Sequence, residues 1–232
     1  MRKVSGLQVL TFLCLLALAV AVGLLANYLL FGALALGDFR GVFMSATGVT
    51  LSYLTVILAF RLFCGVFPLP EGDIAVGSPA EFRYHVYLLF FLIVFYPVMF
   101  SMILPVPLMR VFYQLLGARL GPNTYPGGVL MDPPFVTIGG NTIVGQGALI
   151  VPHVIEGSRL AHRRICIGND VTIGGRAVVL SGCSIGDGAT VAIGAVVSKG
   201  TVIGAGEVWG GIPARRLAQA AVTDQPVTKV TG

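Results

Sequence analysis

The feature that most limits how this chain can fold is a six-residue repeat in its C-terminal half. From residue 167 onward a large apolar residue returns every six positions without a slip in register. A small or β-branched residue stands four positions after each of the first six, and glycine directly follows the large residue at five of the eight steps. The large residues are Ile167, Ile173, Val179, Ile185, Val191, Val197, Ile203 and Trp209, and the small ones are Val171, Ala177, Cys183, Ala189, Ala195 and Thr201.

This period fits neither an amphipathic helix nor an ordinary strand, and it predicts a solenoid of stacked parallel strands. We expect three hexads to form one triangular turn, with the large residue inside and the small residue at the corner. An earlier block continues the pattern at Ile138, Val144 and Ile150. Because Ile150 and Ile167 are seventeen residues apart, which is not a multiple of six, the segment between them must leave the coil as a loop.

The repeat ends in Val-Trp-Gly-Gly-Ile-Pro-Ala-Arg at 208–215, and the interrupting loop carries a histidine. In these features the chain from about residue 117 to 217 resembles the hexapeptide-repeat acyltransferases. The resemblance implies a left-handed parallel β-helix, acetyl-CoA as the acyl donor and a homotrimer.

The N-terminal half has a different composition, because three long runs in it carry no charged residue. These runs cover residues 7–36, 42–60 and 86–109. Since a helix needs about 20 apolar residues to cross a bilayer, all three are candidate membrane segments. A cleavable signal peptide is the alternative interpretation of the first run, but the run is longer than the ~7–15 apolar residues of such peptides, which favours a retained anchor.

The expected fold class is therefore α + β, with N-terminal transmembrane helices followed by a left-handed parallel β-helix. We divide the chain into a membrane-anchoring helical domain at 1–106, an interfacial helix at 107–118, a β-helix acyltransferase domain at 119–217 and a flexible tail at 218–232. The net charge is +5, yet no basic patch interleaved with aromatic residues is present, so no nucleic acid partner is expected.

Membrane topology is ambiguous at this point. Arg2 and Lys3 favour a cytoplasmic N-terminus, and a coil that uses acyl-CoA should also face the cytoplasm, whereas three crossings would separate the two. Pro97, Pro105 and Pro107 favour a broken, re-entrant third segment, with an N-outside arrangement of three crossings as the alternative. We expect an integral protein of a bacterial-type inner membrane.

Acyl transfer to a hydroxyl or an amine needs a base of near-neutral pKa, and histidine is the usual choice. His153 stands where the loop leaves the coil, as the catalytic histidine does in the acyltransferases. His162 lies later in the loop, at a position that is open to the acceptor or to solvent. Glu156 is a candidate carboxylate partner for His153, and Asp132 is a rival for that role.

The resemblance also implies positions for donor binding. Gly174 and Gly175 match the coil position of a main-chain oxyanion donor, while Lys199 and Arg215 match residues that bind the phosphates of CoA. Glycines at corners and surface charges explain the same residues without a ligand. No metal is expected, because the zinc-dependent carbonic anhydrases of this fold use three histidines and this coil has two.

Two functions of different classes remain. The first is a membrane-tethered acetyltransferase that modifies a sugar or a lipid-linked saccharide of an envelope precursor. The second is a non-catalytic trimeric scaffold that organises membrane partners.

Overall fold

A computed structural model describes residues 2–101 and 103–217, so the expected tail at 218–232 lies outside the described residues. The chain begins with two long helices, followed by a third helical segment and a shorter helix. They are α1 (Gly6–Phe31), α2 (Arg40–Val66), the third segment made of α3 (Pro79–Phe90), a π-helical stretch (Phe91–Phe95) and α4 (Tyr96–Ser101), and α5 (Val106–Leu116). Three spans, Gly6–Phe31, Gly37–Val66 and Pro79–Ser101, are long and apolar enough to cross a membrane.

The apolar run 86–109 is broken as expected, but the break follows Ser101: α4 ends there and α5 begins at Val106, directly after Pro105. Pro97 is the second residue of α4 and does not interrupt the helix, which is distorted but continuous across it. Proline lacks the N–H that a continuous helix would use there, and the preceding π-helical stretch, in which Tyr96 N donates to Phe91 O, absorbs the local change in hydrogen bonding. The segment differs from the other two in its burial, since 44% of its apolar window is buried in the protein, against 17% and 22%.

The C-terminal half is a coil of short strands with three parallel faces. The first face contains β2 (Arg119–Leu120), β5 (Val136–Ile138), β10 (Ile165–Ile167), β13 (Ser184–Ile185) and β16 (Val202–Ile203). The second contains β3 (Tyr125–Pro126), β6 (Ile143–Val144), β11 (Thr172–Ile173), β14 (Thr190–Val191) and β17 (Val208–Gly210), to which β18 (Arg215–Arg216) adds an antiparallel edge. The third contains β4 (Val129–Leu130), β7 (Leu149–Val151), β12 (Val178–Leu180) and β15 (Val196–Val197).

Strands of successive turns pair in parallel at a spacing of 18 residues, which confirms that three hexads make one turn. Ile167 pairs with Ile185, and Ile173 pairs with Val191. The large hexad residues up to Ile203 fill the interior, and small residues such as Ala177 and Ala195 are fully buried at the corners. Stacking therefore satisfies the main-chain hydrogen bonds and buries the apolar side chains together.

The interrupting loop is a β-hairpin. Its strands are β8 (His153–Glu156) and β9 (Arg159–His162), and the outer edge of β9 pairs with β1 (Gly72–Asp73), which precedes α3. Across the hairpin the first-face partners Thr137 and Cys166 are 29 residues apart instead of 18, so the hairpin adds eleven residues. The coil resumes its register after it.

Helices and coil share one apolar core. Buried side chains form a continuous cluster that includes Phe60 and Phe90 of the helices and Ile150 and Ile173 of the coil. The hydroxyl of Tyr113, on α5, donates to Gly128 O at 3.1 Å and accepts from Leu130 N at 3.3 Å, so α5 is tied to the first turn by hydrogen bonds.

The buried hexad position is expected to dominate coil stability. Replacing the fully buried Ile173 by alanine should lower the free energy of unfolding by about 2–5 kcal/mol, because it leaves a cavity in the prism. The neighbouring Thr172→Ala, at an exposed position of the same strand, should change it by less than about 0.5 kcal/mol. Denaturant titration of both variants measures the difference, and equal effects would contradict the inward placement of the hexad residues.

Candidate active site

A histidine and a buried aspartate meet where the hairpin leaves the coil. Nδ1 of His153 lies 2.5 Å from Oδ2 of Asp132. The aspartate side chain is 3% exposed and the imidazole 23%, so one end of the ring is anchored in the protein and the other reaches the surface. Within residues 2–101 and 103–217, no protein group hydrogen-bonds to Nε2. Nε2 is thus the atom available to a ligand.

The sequence left open which carboxylate partners His153, and the structure brings Asp132 to it. Asp132 follows β4, in the turn below His153, and its φ of 43° lies in the left-handed region that few residues other than glycine adopt. Its second oxygen, Oδ1, accepts a hydrogen bond from the hydroxyl of Tyr87 at 3.1 Å. Sequence reasoning missed Tyr87, because an aromatic residue in an apolar run reads as a membrane-segment residue.

Each member of the pair shifts the pKa of the other. Burial acts to lower the pKa of His153, but the hydrogen bond and the negative charge of Asp132 outweigh it and raise that pKa above 6.5. Burial acts to raise the pKa of Asp132, but the hydrogen bond and positive charge of His153 prevail and lower it. Asp132 is therefore a carboxylate that accepts a hydrogen bond from the Nδ1–H of His153 and stabilises positive charge on the imidazole.

Glu156 lies at the exposed tip of β8 and pairs with Lys199 instead of His153. The hydrogen bond from Lys199 holds the pKa of Glu156 below its usual range. The two residues meet because Lys199 occupies the corner between the third and first faces, which we call the histidine corner (residues 152–164, 181–183 and 198–201). There Arg163 N donates to Pro152 O at 3.0 Å, Gly182 N to Arg163 O at 3.3 Å and Gly200 N to Ser181 O at 3.0 Å.

The other predicted donor-binding residues lie at a different corner of the same chain. Gly174 and Gly175 belong to the corner between the second and third faces, which we call the glycine corner (residues 127–128, 145–148, 174–177, 192–195 and 211–214). Arg215 follows this corner, and the preceding residue, Ala214, donates to Val196 O at 2.8 Å. A strand of the third face, about 10 Å long, separates the two corners, so one chain does not bring these residues to His153.

The two glycines differ in what their main-chain groups can do. Gly174 N donates to Val191 O at 2.7 Å, as part of the coil. Within the described residues Gly175 N has no hydrogen-bond acceptor, so it is the free donor of the two.

His162 does not have the position expected for it, because its side chain is fully buried and cannot contact solvent. Its ring stacks on Phe135, with the centroids 4.5 Å apart and the planes at 4°. In the part of the chain that the structure describes, neither ring nitrogen has a hydrogen-bond partner, and burial lowers its pKa. His162 is therefore a packing residue behind His153, with which it is paired across the hairpin.

The hairpin is also held from outside the coil. Arg2, which precedes α1, donates to Ser158 O at the hairpin tip through Nε at 3.1 Å and Nη2 at 3.0 Å. The same guanidinium bonds to Oε1 of Glu81 at 3.0 Å and to Ile74 O at 2.7 Å. These contacts fix the hairpin against the ends of two helical segments. Sequence reasoning read Arg2 only as a topology signal.

Metal chemistry has no evident site in the described ranges, since no group of three or more His, Cys, Asp or Glu side chains there is placed to hold an ion. The nearest approach to such a group is the pair of Asp132 and His153.

No protein-family model and no curated protein matches this chain. Among solved structures, it is similar to a hexapeptide-repeat acetyltransferase of Vibrio cholerae O1 biovar eltor in complex with acetyl coenzyme A, at 21% identity, covering 61% of this chain and 90% of that one, with a TM-score of 0.48. It is similar to a galactoside acetyltransferase in complex with coenzyme A, at 25% identity, 44% and 55% coverage and a TM-score of 0.39. It is also similar to the serine acetyltransferase of Brucella abortus, at 18% identity, 87% and 68% coverage and a TM-score of 0.39. At TM-scores below 0.5, these similarities carry no argument about the activity of this chain.

The pairing of His153 with Asp132 is testable by titration. Asp132→Asn removes the charge that raises the pKa of His153 and leaves burial, which lowers it, so we expect that pKa to fall relative to the parent. NMR titration of the imidazole C2 protons measures it. Glu156→Gln is the matched control and should leave the value unchanged, and the same pKa in the parent and Asp132→Asn would contradict the pairing.

Proposed function

We propose that this chain is a membrane-tethered acyltransferase, an acetyl-CoA-dependent O- or N-acetyltransferase that acts on a sugar or a lipid-linked saccharide of an envelope precursor. The observation that carries the proposal is the pair of His153 and Asp132, with Nε2 free at the surface of a hexapeptide coil. A non-catalytic scaffold has no need of a buried carboxylate that orients an exposed imidazole.

In this proposal His153 is the general base. Asp132 holds Nδ1 protonated, so the lone pair of Nε2 faces the acceptor and takes the proton of its hydroxyl or amine as that group attacks. Acetyl-CoA supplies the thioester carbon that is attacked. Positive charge that develops on the imidazole is stabilised by Asp132, and His153 afterwards returns the proton to the departing sulfur. Glu156 takes no part in these proton transfers.

A homotrimer explains why the candidate residues are divided between two corners. In a cyclic trimer one surface of each copy binds a different surface of the next copy, and three such contacts close the ring. The histidine corner of one copy then faces the glycine corner of its neighbour, so Gly175 N–H can stabilise negative charge on the carbonyl oxygen beside the neighbour's imidazole. Ile193 and Ile212, at the glycine corner, are 78% and 76% exposed, as expected of residues that a partner covers.

The residues present fit a CoA ester, whose phosphates need cations near a surface groove. Arg215 and Lys199 remain the proposed phosphate ligands, although Lys199 has to exchange Glu156 for the phosphate. We further propose that the coil is left-handed and that residues 119–217 form the catalytic unit, with 1–106 as the membrane anchor and 107–118 as the interfacial connection.

The contacts of the helices support a topology with two crossings. Arg2 and β1, at the two outer ends of the α1–α2 pair, both contact the hairpin, so both lie on the side of the coil. The third segment contacts the coil near its beginning, through Tyr87, and near its end, where Met99 and Gly128 line one cavity. A segment that meets the coil at both ends starts and finishes on one side. We propose that this side is the cytoplasm and that the membrane is of the bacterial inner type.

The catalytic assignment predicts a large and selective loss of turnover. His153→Ala should lower kcat by about 10²–10⁴-fold, the usual contribution of a general base, while the coil stays folded. His162→Phe, which replaces a buried ring that makes no hydrogen bond, should retain most of the turnover. Release of CoA thiol in the presence of saccharide acceptors measures both, and acetyl-CoA binding and turnover that do not differ between the parent and His153→Ala would favour the scaffold.

The topology predicts which residues share a side of the membrane. In a background with the four native cysteines replaced by alanine, Lys3→Cys and Ser158→Cys should react with a membrane-impermeant maleimide only in inverted vesicles. Asp38→Cys, between α1 and α2, should react only in right-side-out vesicles. Labelling of positions 3 and 158 from opposite sides would refute the two-crossing arrangement.

A further inference from the structure

A partly open apolar cavity of about 250 Å³ lies where the third helical segment and α5 meet the coil. The helical side contributes Met99, Phe100, Leu104 and Met109, and the coil side contributes residues 127–129 and 147–149 at the lowest turns of the glycine corner. Among the residues that the structure describes, no charged side chain lines it.

Several main-chain groups around the cavity are already hydrogen-bonded within the protein. Gly127 N donates to Val144 O and Val129 N to Ala148 O, both at 2.8 Å, while Gly128 O accepts the hydroxyl of Tyr113 at 3.1 Å. A polar ligand would find few partners here, and burying its polar groups would cost free energy. The cavity therefore suits hydrocarbon.

The surroundings of the cavity indicate where such a ligand comes from. Phe100 and Ile103, at the end of the third segment, are 48% and 78% exposed, and Val106 beside them is 40% exposed. Apolar side chains of this size in a group mark contact with a membrane or another apolar partner. Because this group continues the surface of a candidate membrane segment, the cavity is placed to receive a chain from the bilayer.

The cavity and the catalytic pair lie at opposite ends of the same two strands. Val129 begins β4, and Asp132 follows its end; Leu149 begins β7, and His153 follows its end. Three to four residues of extended chain span about 10–13 Å. A hydrocarbon chain in the cavity thus lies one strand length from the imidazole, so the polar head of the same molecule can extend along the third face to Nε2.

We propose that this cavity binds the hydrocarbon chain of the acceptor, so that the substrate is a saccharide or other polar head carried on a membrane lipid. The proposal rests on the proposed acyl transfer at His153. The acyl chain of the donor is the other source of hydrocarbon, but a CoA ester is water-soluble and its proposed phosphate ligands, Lys199 and Arg215, lie on the upper turns, away from the helices. The apolar group at the membrane side favours the acceptor.

Photolabelling of the full chain in nanodiscs tests the proposal. The probes are decyl glucoside and decanoyl-CoA, each with a diazirine at the end of its hydrocarbon chain, and the readout is the label on peptides that contain residues 127–149. These coil residues are outside the lipid-facing helices, so labelling of them is distinct from contact with the bilayer. We expect decyl glucoside to label them and decanoyl-CoA to label them weakly.

Two tryptophan variants serve as a matched pair. Leu104→Trp places a larger side chain in the cavity. If it excludes only two methylene groups of the alkyl probe from the cavity, affinity for the probe should fall about tenfold. Leu108→Trp, at an exposed position of α5, should label like the parent. Labelling of 127–149 by decanoyl-CoA in place of decyl glucoside, or equal labelling in both variants, would overturn the proposal.

The same preparation separates this proposal from the proposed function. Photolabelling needs no turnover, so His153→Ala should label like the parent. Normal labelling combined with no effect of His153→Ala on acetyl-CoA turnover would refute the catalytic assignment and leave the lipid site in place.

Discussion

The structure depends on the 18-residue register of the coil. Successive turns pair at this spacing, so the register that completes the main-chain hydrogen bonds between turns is also the register that stacks their apolar side chains. The register also aligns the corners in columns, and for this reason Lys199 lies above the base of the hairpin although 46 residues separate it from His153. In such a fold, residues that are far apart in the sequence lie close together when they occupy the same corner in neighbouring turns.

The helical half contributes directly to the candidate site. Tyr87 holds the second oxygen of Asp132, while Arg2 and β1 hold the hairpin that follows His153. The third segment is therefore part of the wall behind the pair of His153 and Asp132, which agrees with its greater burial. The helical half and the candidate site are linked through these contacts.

The parts that repeat could be predicted from the sequence, and the parts that do not repeat could not. The hexad spacing alone predicts the coil, its turn of three hexads and the position of the loop. The first turn is harder to recognise, because Leu120, Pro126 and Leu130 are spaced by six and then four. The hexad spacing also does not show whether Asp132 or Glu156 partners His153, because that depends on which turn lies beneath the hairpin. Of the prolines in the run 86–109, Pro105 stands at the break before α5 and Pro97 does not interrupt the helix, so the number of prolines alone does not locate a break.

The contact between Arg2 and Ser158 has a consequence for biogenesis. During synthesis the N-terminal arginine emerges 156 residues before the carbonyl that it will bind. The first two helices therefore form and pack while the hairpin does not yet exist. The contact can be made only after residue 158 has been synthesised, so it joins the start of α1 to the hairpin late, once both have folded.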